Sequence, residues 1–173
     1  MEKRKVLVPV DGSDFCRQIF PVIMKFLDPA ANEIIFLRVG SPVEGHVGMP
    51  PRPAAIASDV MSYETARDLE FATHPIYASQ ERDSALATFI GEMQPDVREM
   101  EHAGFNVTYD IRFGDRGEEI VEYVNNNPVD LVAMTTHWRT GLNRLLFGNT
   151  VQHIVPHINV PLLMLRPESS SEQ

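Results

Sequence analysis

Residues 5–10 (Lys5-Val6-Leu7-Val8-Pro9-Val10) and 33–39 (Glu33-Ile34-Ile35-Phe36-Leu37-Arg38-Val39) are short, almost continuous apolar runs. A strand with one wet face alternates apolar and polar residues. A strand apolar throughout must be covered on both faces, the condition of a parallel sheet with helices above and below it. Between the two runs, Phe15, Ile19, Val22, Ile23 and Phe26 recur at one-face helical spacing behind the capping candidates Ser13 and Asp14. This is one βαβ unit. The same grammar predicts a third strand at about 105–111, a helix at about 116–126, and further strands at about 129–134 and 160–166. Strands alternating with helices in this way make an α/β fold, a five-stranded parallel sheet with helices on both faces.

A chain of 173 residues with 43% hydrophobic content suits one domain with a sizeable core. With 24 acidic against 15 basic side chains the formal charge is −9, which argues against nucleic acid as a partner, since a phosphate backbone needs a basic footprint. The opening Met1-Glu2-Lys3-Arg4-Lys5 passes straight into a short strand and predicts no secretory leader. No apolar run approaches the ~20 residues of a membrane helix, so no membrane partner is expected. The single cysteine, Cys16, cannot form an intramolecular disulfide and fits a reducing compartment. Together these features predict a cytoplasmic protein.

The middle of the chain is irregular. Residues 40–56 include Met49-Pro50-Pro51-Arg52-Pro53, where prolines remove donors and restrict their predecessors, and a flexible loop is expected there. Residues 57–74 are helix-compatible, and Leu86, Phe89, Ile90, Met93, Val97 and Met100 form an apolar stripe that Pro95 is placed to kink. A lid, an extra dimer surface and a tolerated insertion are the three readings open for the segment at about 40–80. Long surface loops cost little stability, which keeps the last of these in play.

The richest stretch follows the apolar run Leu131-Val132-Ala133-Met134. Residues 135–150 form a loop leading to a helix whose Val151, Ile154, Val155 and Ile158 share one face. Strand, loop and helix in this order can hold an anion on backbone N–H groups, helped by glycines that let the backbone come close.

Here the sequence resembles the universal stress protein family. Its loop reads Gly, two residues, Gly, nine residues, Gly, then Ser or Thr, and this falls on Thr135, Trp138, Gly148 and Asn149. One position of four keeps the nucleotide-binding form. The opening Val6-Leu7-Val8-Pro9-Val10-Asp11-Gly12-Ser13 is similar to the family's first strand and turn, and Gly114-Asp115 before Glu118-Glu119-Ile120-Val121 to its turn into a helix. Asp130 to Met134 and Asn159 to Arg166 resemble its last two strands. The resemblance covers a domain of residues 1–168, with 169–173 as a tail. It implies a doubly wound, Rossmann-like sheet of order 3-2-1-4-5, whose ligand crevice lies where the order reverses.

The resemblance carries an adenine pocket onto Pro9 and Val39, and onto Asp11 a carboxylate that accepts from a ribose or an adenine amino group. It carries loop contacts onto Met134, Thr135, His137, Trp138, Gly148, Asn149, Thr150 and Val151. Asp11 has a second reading as the cap of the turn at Gly12-Ser13. Trp138 and Thr135 stand where close backbone approach needs glycine. Asn149 replaces a hydroxyl but keeps an amide donor, and Thr150 supplies a hydroxyl one residue later. Arg139 and Arg144 could partner an anion, but on the loop of an acidic protein they are read as solvated. His153 and His157 have a metal-chelating spacing, but no third ligand joins them in sequence and Pro156 intervenes. Cys16 has no His and Asp arrangement around it, so no catalytic residue or metal is assigned.

Two readings result. In the first, the chain is a non-catalytic stress-response regulator or interaction module with a degenerate ATP site. In the second, it is an adenine-nucleotide-binding protein, an ATP/AMP switch or slow ATPase, with Trp138 displaced or stacked on the base. A homodimer through the last strand, Val160 to Arg166, is implied by the family's habit of pairing that strand, and an unknown protein partner accompanies the first reading.

Overall fold

A computed structural model describes residues 2–42, 75–136, 138–141 and 144–166, with backbone only for 75–81, 138–141 and 144–147. The chain divides into a unit formed by Met1–Ser41 with Phe89–Gln173 and a second, Pro42–Thr88. In the larger unit, β1 (Arg4–Val10), β2 (Asn32–Gly40), β3 (Asn106–Phe113), β4 (Leu131–Thr135) and β7 (Leu162–Leu165) form one sheet in the order β3-β2-β1-β4-β7. Every pairing in it is parallel. The expected doubly wound sheet is present, and its order reverses between β1 and β4.

Each face of the sheet has its own core, as the continuous apolar strands require. Val6, Val8, Ile34 and Phe36 pack with Ile19, Phe20 and Ile23 on one face. Leu7, Leu37 and Val132 pack with Ile120, Val124, Val151 and Ile154 on the other. Helices α1 (Asp14–Arg17) and α2 (Ile19–Phe26) are two pieces where the spacing predicted one. Pro21 has no N–H to give the Arg17 carbonyl, and the chain breaks at Gln18. Phe26, expected on the core face, is 69% exposed, and Leu27 just beyond the helix packs against the core instead.

Helix α3 (Pro75–His102) carries Pro95 within it. Of the second unit, the described part is its first portion, where the Thr88 hydroxyl donates to the Ser84 carbonyl at 3.0 Å. From Phe89 onward the helix belongs to the larger unit, and Met93, Val97 and Met100 enter the core as their stripe predicts. It ends in a turn at Gly104, whose φ of +93° suits glycine, with the Phe105 N–H closing back on the Met100 carbonyl. The helix expected at 57–74, most of the loop expected at 40–56 and the tail at 169–173 lie outside the described residues.

Helix α4 (Arg116–Asn126) has the predicted bounds, capped by Asp115, whose Oδ1 accepts from the amides of Gly117 and Glu118. Two expectations differ at the end of the chain. The stretch 135–150 is not all loop: β5 (Trp138–Gly141) and β6 (Arg144–Phe147) pair antiparallel. Helix α5 (Asn149–Ile154) stops short of the predicted stripe, because Pro156 cannot donate to the Gln152 carbonyl and the chain turns there. The sheet-strand ends differ from the expected ones by two residues at most, the usual reach of a boundary read from apolar runs.

Candidate functional site

Strand β1 delivers Asp11 to the point where the sheet order reverses. Gly12 follows at φ +79°, a left-handed turn that brings Ser13 back toward the carboxylate. Asp11 Oδ1 accepts from the Ser13 amide at 3.0 Å and from its hydroxyl at 2.6 Å. The Ser13 Oγ in turn accepts from the Cys16 amide at 3.1 Å and caps α1. The other carboxylate oxygen, Oδ2, pairs with Arg116 Nη1 at 3.2 Å. Asp11 is thus a turn residue and a cleft residue at once. Burial pushes its pKa up, but the Ser13 hydrogen bonds and the Arg116 charge more than offset this and hold the carboxyl below its ordinary 3.8.

Beside it lies a cleft of about 640 Å³, counting its open mouth. Pro9, Asp11 and Val39 line it together with Met134, Thr135, Gly148, Thr150 and Val151. These eight come from four separate segments of sequence, gathered by the doubly wound topology at the carboxyl ends of the strands. Asn149 faces an adjoining hollow with Asp115, Arg116, Gly117, Thr150 and His153. Trp138 opens β5 and is described by its backbone alone; His137 lies outside the described residues.

Several residues enter the cleft unannounced. Arg116, Ile120, Phe15, Cys16 and Thr136 all line it. The apolar ones were legible as core positions that end at a cavity. Arg116 had a weaker signal: a cation one residue after the helix cap Asp115, on a helix following a strand that ends at the same rim. The loop's own cations, Arg139 and Arg144, have side chains outside the described residues. Cys16 is buried, donates to the Pro9 carbonyl at 3.3 Å, and is pushed up to about 11 by burial, so it stays a neutral thiol at pH 7. His153 and His157 stack with ring centroids 5.0 Å apart, and among the described residues no three metal-ligating side chains gather. Among them too, no helix is long and apolar enough to cross a membrane.

A family model of universal stress proteins matches residues 3–166. The chain belongs to the universal stress protein family. Universal stress protein MJ0577 of Methanocaldococcus jannaschii is 30% identical over 79 residues, 46% of this chain and 49% of that one. MJ0531 of the same organism is 24% identical over 164 residues, covering 94% and 82%. The match to MJ0577 thus spans about half of that relative's length, and a match to Slr1230 of Synechocystis spans 23%.

Solved structures share the fold. That of MJ0577 superposes with a TM-score of 0.68 at 22% identity, covering 98% of this chain and 100% of the other. A universal stress protein family protein from Arabidopsis thaliana with AMP bound gives 0.59 at 16%, covering 98% and 95%. A universal stress protein in complex with cAMP gives 0.58 at 12%, covering 96% and 98%.

Proposed function

We propose that this universal stress protein is a non-catalytic, cytoplasmic stress-response regulator or interaction module, whose cleft holds an adenine nucleotide weakly and with fewer phosphates than ATP. The observation behind this is the β5–β6 hairpin in the stretch that would otherwise cradle phosphates. Backbone N–H groups committed to an antiparallel ladder are not available to an anion. Thr135 and Trp138, where the family's loop has glycines, act in the same direction. Relatives with AMP and with cAMP bound support a single-phosphate ligand.

The lone tryptophan, Trp138, provides the test. Titration with Mg-ATP, followed by tryptophan fluorescence and by calorimetry, is expected to show no micromolar binding. A saturable transition at roughly 1–10 μM, about −8 to −7 kcal/mol, would favour the ATP switch or slow ATPase instead. We also infer that two copies pair through the last strand, Val160 to Arg166. The edge position of β7 supports this.

A further inference from the structure

We propose that Arg116 sets the ligand selectivity of this cleft, donating to one phosphate group so that an adenosine monophosphate is preferred both to adenosine and to ATP. The inference rests on the adenine-nucleotide reading of the cleft and assigns the phosphate to a residue that lies outside the family's loop pattern.

Among the described residues lining the cleft, Arg116 is the one cation, and with Thr150 it also lines the adjoining hollow. Its side chain is 48% exposed. The Asp115 cap fixes the first turn of α4 behind it. Asp11, through Oδ2, is its partner among the described residues and engages Nη1 alone. A guanidinium has five N–H donors in a planar fork that matches phosphate geometry. The ion pair with Asp11 therefore positions Arg116 and leaves donors for a ligand oxygen, so the guanidinium can bridge carboxylate and phosphate without breaking the pair. Beside it in the hollow stand the Thr150 hydroxyl and the Asn149 amide, two neutral donors.

Charge limits how much anion this arrangement accepts. Asp11 and Asp115 both flank Arg116, and Asp115 also faces the hollow. A single phosphate meets the guanidinium. Further phosphates would meet carboxylates with no second arginine or lysine among the described lining residues. Selection of a monophosphate over a triphosphate follows from repulsion as much as from attraction.

The experiment is calorimetric titration of the full chain with adenosine, AMP and metal-free ATP at low salt, for the wild type, Arg116→Gln and Arg116→Lys. Wild type is expected to bind AMP about 10-fold more tightly than adenosine, the ratio of one charge-assisted contact, and ATP more weakly than AMP. Arg116→Gln should bring the AMP-to-adenosine ratio to about one, and Arg116→Lys should retain part of it. Removing Arg116 also leaves Asp11 unpaired, so the ratio is measured again in Asp11→Asn. If the Arg116→Gln, Asp11→Asn double variant still loses the AMP preference relative to Asp11→Asn alone, the phosphate contact is to Arg116 and not an effect of a bared carboxylate. Equal binding of adenosine and AMP by the wild type, a ratio unmoved by Arg116→Gln, or ATP bound as tightly as AMP would each overturn the inference and leave the adenine cleft standing. Failure of both adenosine and AMP to bind would overturn the adenine reading and this one with it.

Discussion

Asp11 serves as both a turn cap and a cleft carboxylate, and its titration separates the two roles from any ligand. Its pKa lies below the ordinary 3.8 because Ser13 and Arg116 outweigh the effect of burial. A carboxyl depressed by folding favours the folded state in its ionised form. The stability it confers is complete above the ordinary carboxylate range and is lost as pH falls through the folded value, below 3.8. Asp11→Asn should therefore melt lower than wild type by a constant margin above about pH 5, and the margin should close as pH drops below about 4. Circular dichroism melts between pH 6 and 2.5 measure it, and a margin unchanged down to pH 3 would mean the ionised carboxylate stabilises nothing. The turn role was written in the spacing Asp11-Gly12-Ser13, whereas the pairing with Arg116, 105 residues away, had no local signature.

Between elements, one tight contact lies where α4 meets α5. Gly117 is buried, and a Cβ there would sit 3.0 Å from three atoms of the His153 side chain, its Cβ included. In Gly117→Ala the His153 side chain, and α5 with it, has to give by a few tenths of an ångström, and overpacking of this kind typically costs about 1–3 kcal/mol. The expected result is a lower urea midpoint with an unchanged m-value, and weaker AMP binding because Thr150 and Val151 on α5 line the cleft. A variant as stable as wild type would show that α5 moves freely. Much of this layer was legible. Apolar runs and one-face stripes located all five sheet strands, the bounds of α4 and the buried face of α3, because burial on both faces of a parallel sheet leaves a strong hydrophobic signal. The β5–β6 hairpin was not, since two four-residue strands are too short to show an apolar period and the family's loop pattern suggested open backbone. The break at Gln18 and the early end of α5 were also missed, though Pro21 and Pro156 were there to read. Apolar spacing records which face is buried and is blind to a missing N–H.

At the scale of the whole molecule, the sheet ends on β7, bonded to β4 along one side and, among the described residues, to nothing on the other. Exposed edges invite pairing, and natural sheets usually blunt or cover them. The residues here are Leu162, Leu163, Met164 and Leu165, with no charge among them. Leu163 and Leu165 pack against one core and Leu162 against the other, while Met164 is 36% exposed. An antiparallel pairing of two β7 strands across a two-fold axis would cover both the backbone edge and Met164 by the same contact. Met164→Lys is the cleaner probe than Leu163→Lys, because a charge at Leu163 would enter the core and confuse dissociation with unfolding. Light scattering should give the wild type a mass of about 39 kDa, twice the chain mass of 19.5 kDa, and bring Met164→Lys toward the single-chain value with little change in melting temperature measured at low concentration. A wild type that runs as a monomer at micromolar concentration would end the dimer proposal and leave the edge to be covered from within the chain, by the serine-rich tail or the long middle segment.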